Sequence, residues 1–230
     1  MESAIRPLAL RHLGMVEYAA ALDLQAELVR ERRAGAIPDT LLLLEHPHVI
    51  TMGSGTHDEN VLISPSERAE RGIELFRTGR GGDVTYHGPG QLVGYPIMDL
   101  KPDRCDLHRY LRDLEEVIIL VLAEFGVQGG RVDGLTGVWV GDEKVAAIGV
   151  RVSSGWITSH GFALNVNTDL AFFDSIIPCG IQDHGVSSLA GVLGRKLEMS
   201  DVEAAVTRGF STVFNLSVEM DTPPVADSRL

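Results

Sequence analysis

From position 138 to 166 the chain reads as two β-hairpins in succession. Val138-Trp139-Val140 turns at Gly141-Asp142-Glu143 into an apolar stretch over 144–152, and Ser153-Ser154-Gly155 turns that stretch back through 156–166. Strands joined by such short turns pair antiparallel, whereas parallel neighbours need a long crossover. Helical patterns flank the hairpins instead of alternating with them. Residues 105–125 carry Leu107, Leu111, Leu114, Ile118, Leu122 and Phe125 at spacings of three and four, with Gly126 as the stop. Residues 15–33 carry Val16, Ala20, Leu24 and Leu28 on one stripe, ended by Gly35 and Pro38, and a last helix is expected over 201–215 behind a Ser200/Glu203 capping box. Ser64-Pro65-Ser66-Glu67 opens a shorter one. Apolar runs at 41–44, 49–52, 75–78 and 91–98 supply further strands. The expectation is one α+β domain over 1–220, with a mixed or largely antiparallel sheet flanked by helices, and a loose Pro-Pro-containing tail over 221–230.

A chain of 230 residues can bury one such core. Its longest apolar run, 117–123, is far shorter than the ~20 residues that span a bilayer, so no membrane segment is expected. Met1-Glu2-Ser3-Ala4-Ile5-Arg6 has no basic stretch leading into an apolar core, and a cytoplasmic location is expected. The net charge of −12 argues against nucleic acid as a partner. It would also repel an acidic protein unless a local basic patch formed. Arg77, Arg80, Lys101, Arg104, Arg109 and Arg112 are close enough in sequence to form one, or to be scattered solvated charges.

The chemically dense segment is Arg80-Gly81-Gly82-Asp83-Val84-Thr85-Tyr86-His87-Gly88-Pro89-Gly90-Gln91. Glycines let backbone run close to a ligand, and the polar residues between them can point into the space so created. The segment lacks the G-x-G-x-x-G spacing of dinucleotide sites and the Gly-Lys-Ser/Thr ending of a P-loop. It reads as a strand–loop–strand ligand cradle; a plain tight turn would not account for Thr85, Tyr86, His87 and Gln91 together.

Cys105 and Cys179 belong to no paired-cysteine metal motif, and both are expected to be free thiols. Cys105 opens a helix between Asp103 and Asp106, which oppose thiolate formation. Cys179 stands in Pro178-Cys179-Gly180-Ile181, a constrained turn suited to a nucleophile. An unperturbed thiol near pKa 8.5 is only about 3% thiolate at pH 7, and making it half ionised takes roughly 2 kcal/mol of differential stabilisation. Lys144, His87, His160 and His184 are candidates to supply it; a lysine at a hairpin end can equally be a solvated one. In Ser159-His160-Gly161-Phe162-Ala163-Leu164-Asn165, a glycine inside a strand pattern suggests close approach of a ligand or a bulge, and small residues at 147, 149, 161 and 163 leave room for a slender acyl chain. His46-Pro47-His48 has no carboxylate or cysteine cluster to complete a metal site, and no metal is expected.

Taken together, the segment 80–91 with Tyr95, Gly137-Val138-Trp139-Val140, Lys144-Val145-Ala146-Ala147-Ile148-Gly149-Val150, His160-Gly161-Phe162-Ala163-Leu164-Asn165 and Pro178-Cys179-Gly180-Ile181 resemble, in order, the motifs of the lipoyl(octanoyl) transferase family. The likeness covers about residues 15–215. It implies the fold of the biotin and lipoate protein ligases. It implies transfer of an octanoyl group from octanoyl-acyl carrier protein to a specific lysine on lipoyl domains of 2-oxoacid dehydrogenase E2 subunits or on glycine cleavage H protein, without a cofactor. It further implies Cys179 as the acyl-thioester nucleophile and Lys144 as the residue that lowers the thiol pKa and shuttles a proton. The substrate-binding residues carried over are Arg80, Gly81, Gly82, Asp83, Val84, Thr85, Tyr86, His87, Ala147, Ile148, Gly149, Gly161, Phe162 and Ala163. Two other readings fit parts of the pattern: an ATP-dependent lipoate or biotin ligase, which needs no nucleophilic cysteine, and a non-catalytic protein that binds acyl carriers or lipoyl domains.

Overall fold

A computed structural model describes residues 5–177 and 184–220. Eight strands form one mixed sheet. Its central run is β2 (Asp39–Glu45), β6 (Gln91–Ile97), β9 (Thr158–Asn165) and β8 (Glu143–Val152), each pair antiparallel. β7 (Val138–Val140) pairs antiparallel with β8, and the short β10 (Gly185–Val186) runs parallel to it. At the far end β1 (Arg6–Met15) lies parallel to β2 on one side and to β11 (Leu216–Met220) on the other. The expected hairpins are present, and the mixed sheet is as anticipated.

A second, three-stranded sheet packs beside the first: β4 (Glu74–Arg77), β3 (Val49–Met52) and β5 (Val84–His87). This changes the picture of the glycine-rich segment. Val84, Thr85, Tyr86 and His87 are all buried and pair antiparallel with β3, so the cradle is interrupted by a strand of its own. Tyr86 turns away from the loop. Its ring stacks 5.2 Å from Phe172, its hydroxyl lies 2.7 Å from His48 Nδ1, and it belongs to the core of this small sheet.

Helices cover both faces of the large sheet. α3 (Leu107–Glu124) and α5 (Met199–Phe214) bury one face through Leu114, Val117, Val121, Val206 and Phe210. α1 (Tyr18–Arg33) covers the other, over Leu42, Leu44, Val93 and Ala163. The buried face of α1 is Tyr18-Ala21-Gln25-Leu28; of the expected stripe, Leu28 is buried and Val16 and Leu24 pack against the same core, whereas Ala20 is exposed. α2 (Pro65–Glu70) carries the anticipated capping box from Ser64 and Glu67. α5 starts earlier than expected, at an N-cap Glu198 that makes no side-chain cap, so Ser200 and Glu203 form no capping box. A five-residue helix, α4 (Leu189–Leu193), is capped by Ser188.

The basic cluster does not survive folding as a free patch. Arg77 pairs with Asp58, Arg104 with Asp113 and Arg112 with Glu115, while Arg80 is buried.

Candidate active site

Strands β8 and β9 form one wall of a narrow cleft of about 50 Å³. In their antiparallel register Ala147 faces Ala163 and Gly149 faces Gly161. The absent side chains are needed for packing. A Cβ on Gly149 would lie 2.8 Å from the Gly81 carbonyl oxygen, and one on Gly161 only 2.1 Å from that of Gly94. The loop at 80–82 thus lies directly against β8, held by the Gly81 N–H donating to the Val150 carbonyl (2.9 Å). Gly82 has φ +85°, a conformation open to glycine at no steric cost.

Arg80 anchors this loop from within. Its Nη2 donates to the Thr51 carbonyl at 2.7 Å and to Thr51 Oγ1 at 3.0 Å, and Nη1 donates to the Gly81 carbonyl at 3.0 Å. The hydrogen-bond directions continue in one sense. Thr51 Oγ1, already accepting from Arg80, can donate to His87 Nε2 (3.5 Å); His87 Nδ1–H donates to Gln91 Oε1 (2.7 Å); Gln91 Nε2 donates to Asn165 Oδ1 (2.9 Å) and to the Tyr86 carbonyl. Both ring nitrogens of His87 are therefore engaged within the fold. His46 is fixed likewise: Nδ1–H donates to the Val16 carbonyl, so Nε2 accepts from the Tyr95 hydroxyl. The His46-Pro47-His48 stretch is structural, and among the described residues no group of three or more His, Cys, Asp or Glu is placed to hold a metal.

Burial, opposed in part by hydrogen bonds, lowers His46 to about 4 and His87 to about 3, the latter also repelled by His46 and Arg80. His160 is lowered to about 4 by burial and by the charges of Arg80 and Arg151. All three are neutral at pH 7. Each native value lies below the unfolded value near 6.5, so the unfolded chain takes up protons that the native chain does not. The resulting stability is complete above about pH 6.5 and is lost as pH falls from there toward 4 and 3. Calorimetry at pH 5.5 in buffers of differing ionisation enthalpy should record uptake of about three protons on unfolding from these histidines. Uptake near zero would mean that they are not held neutral.

Lys144 lies at one end of the cleft. It is only 9% exposed, so it is not the solvated hairpin-end lysine that the sequence also allowed. Its Nζ sits 4.8 Å from the centre of the Trp139 ring. Its stem passes Gly137, where a Cβ would approach Lys144 Cε to 3.2 Å and the Ala146 carbonyl oxygen to 2.7 Å. Gly137 (φ +129°) is tied to α3 by its N–H donating to Glu115 Oε1 at 3.1 Å. Glu115 is fully buried and compensated by Arg112 and Arg131. Nothing singled it out in the sequence, although an acid among the apolar positions of 105–125 was its available signal.

Of the expected binding residues, Arg80, Gly82, Asp83, Val84, Thr85, His87, Ala147, Ile148, Gly149, Gly161, Phe162 and Ala163 line the cleft with Lys144; Gly81 supports it from behind, and Tyr86 lies outside it. Tyr18, Thr136, Tyr95 and His160 complete the lining. Cys179 lies outside the described residues. On either side of its segment, the Ile177 N–H donates to the Asn60 carbonyl, and Gly185–Val186 pairs with Glu143 and Lys144. Cys105 is an exposed free thiol that does not line the cleft.

The description of the lipoyl protein ligase A/B catalytic domain matches residues 17–211. This chain belongs to that family. Among lipoyl protein ligase A/B relatives, an octanoyltransferase of Rubrobacter xylanophilus is 57% identical over 201 residues, 87% of this chain and 90% of that one. An octanoyltransferase of Solibacter usitatus is 50% identical, covering 93% of this chain and 96% of its own. The lipoyl protein ligase fold extends to distant structures. A lipoate-protein ligase A solved with ATP superposes with a TM-score of 0.73 at 18% identity, over 95% of this chain and 89% of that one. A biotin protein ligase from Aquifex aeolicus superposes at 0.56 and 16% identity, over 90% and 70%.

Proposed function

We propose that this protein is an octanoyltransferase that moves an octanoyl group from octanoyl-acyl carrier protein to a specific lysine of lipoyl domains, on 2-oxoacid dehydrogenase E2 subunits or glycine cleavage H protein. Residues 1–220 form the catalytic domain, and the reaction is cytoplasmic. The observation that carries this reading is the cleft itself: a slender channel lined by the small residues Ala147, Gly149, Gly161 and Ala163 of two paired strands, with a buried lysine at one end. Octanoyltransferases at 50–57% identity over nearly the whole chain supply the acyl group and the reaction type.

In this reading Cys179 is the nucleophile. Its thiolate, stabilised by the Lys144 ammonium, attacks the thioester carbonyl of the donor. The C–S bond to the carrier arm breaks, and Lys144 protonates the departing sulfur. Thioester exchange is nearly isoenergetic, so no ATP is needed. The neutral amine of the acceptor lysine then attacks the Cys179 thioester, the C–N bond forms, and Cys179 leaves as thiolate. Lys144, neutral after the first step, takes the amine proton and restores the starting pair.

Mass spectrometry after incubation with octanoyl-carrier protein and no ATP tests this. One octanoyl group on Cys179, chased onto an added lipoyl domain, is expected. Octanoylation that requires free octanoate and ATP would instead mark a ligase.

A further inference from the structure

His160 stands at the opposite end of the channel from Lys144, and it is the only described residue that lines both the channel and a second cavity of about 300 Å³ beneath α1. In a regular strand it would share the face of Phe162, two residues on. Phe162 packs into the core under α3 and α5. His160 instead has φ +55°, which breaks the alternation. Its ring sits 6.3 Å from that of Tyr95, on the α1 side of the sheet. Histidine is among the residues enriched in this uncommon conformation, which still needs surrounding support. The support comes from α1: the His160 N–H donates to Gln25 Oε1 at 2.7 Å, and Gln25 is itself buried. His160 Nδ1 and Gln25 Nε2 have no hydrogen-bond partner, so the ring is not held there by a polar network of its own. Beyond it, the second cavity has one apolar side, made by Leu22, Ala26 and Val29, and a polar rim of Arg33, Arg151 and Ser153.

Strand geometry sets how far an acyl chain reaches along this wall. The seven C–C bonds of an extended octanoyl chain span roughly 9 Å, taking bonds of about 1.5 Å in a zigzag. That is the rise of about three strand residues. A chain whose carbonyl lies beside the Ala147–Ala163 pair therefore ends at the Val150–His160 pair.

We propose that His160 is the end stop that sets acyl length: its ring closes the channel one octanoyl length from the Ala147–Ala163 pair and shuts off the cavity beneath α1. The proposal rests on the octanoyltransferase reading and adds the residue that selects the substrate.

The test is acyl competition between octanoyl- and decanoyl-carrier protein in wild type and His160→Gly. Glycine adopts the same φ without strain. Two further methylenes, each worth about fourfold when buried, predict a decanoyl-to-octanoyl ratio of kcat/KM raised by roughly 15-fold in the variant. Adding Leu22→Trp, which fills the second cavity, should return the ratio toward that of wild type; a purely structural defect would not be reversed by it. His160→Asn, a smaller side chain that tolerates the same φ, carries the test if the glycine variant fails to fold, with an intermediate rise expected. A ratio within twofold of wild type in a folded variant overturns the end stop. Wild-type protein that transfers no octanoyl group overturns the functional reading beneath it instead.

Discussion

Cys179→Ala is expected to abolish octanoyl transfer, by roughly 10³-fold or more, together with the trapped octanoyl adduct. The size of the effect follows from the proposed route: without a sulfur to hold the acyl group, donor and acceptor would have to react directly. The exposed thiol of Cys105 is an internal control, because a nonspecific acylation would label it as well. Lys144→Ala separates the two roles given to that lysine. In the proposed route it should slow transfer and also move alkylation of Cys179 to higher pH, since the thiolate would lose the cation assigned to it. An intact adduct on Cys179→Ala would sink the nucleophile assignment. An alkylation profile unmoved by Lys144→Ala would remove the lysine as activator.

The second large effect concerns packing. Gly161→Ala should cost about 3 kcal/mol or more, because the added Cβ meets backbone that cannot step aside. The Gly94 carbonyl oxygen would be 2.1 Å away and Pro96 Cδ 2.6 Å away. Both belong to β6, which is paired on each side, by β2 and β9. In a domain of this size the loss corresponds to a melting temperature lower by roughly 6–12 °C. Gly81→Ala provides the contrast: its Cβ would meet only the Val150 carbonyl oxygen, at 3.4 Å, with no positive φ. Thermal melts of the two variants should differ by most of that interval. Equal melts would mean that the sheet yields at Gly161 more easily than its contacts indicate.

What could be read from the sequence was what is local. The hairpins through 138–166, the strand at 49–52 and the capping box at Ser64 each follow from a few adjacent residues, and each is present. The strand at Val84–His87 was hidden by its setting: four buried residues flanked by glycines resemble a loop until β3 is available to pair with them. Pairings with a partner far along the chain gave no local signal, and β1 with β11 is the extreme case. The site divides in the same way. Lys144, Ala147, Gly149, Gly161 and Ala163 sit on two consecutive strands and were legible together. Tyr18 reaches the cleft from α1 at a position outside the expected Val16-Ala20-Leu24-Leu28 stripe. Glu115 is linked to Lys144 through Gly137, a connection made in three dimensions. The charge cluster failed for a related reason: sequence proximity of arginines says nothing of the carboxylates that fold back onto them.

The pairing of β1 with β11 also bears on how the protein comes to be made. The first described strand finds one of its two neighbours in the last. A ribosome adding about 5–20 residues per second needs roughly ten to forty seconds to progress from one to the other. Throughout that interval one side of β1 is an open template of unpaired backbone groups. Its long-range closure belongs to the class of contacts that form slowly, so β1 is most vulnerable to misassociation until β11 has been made.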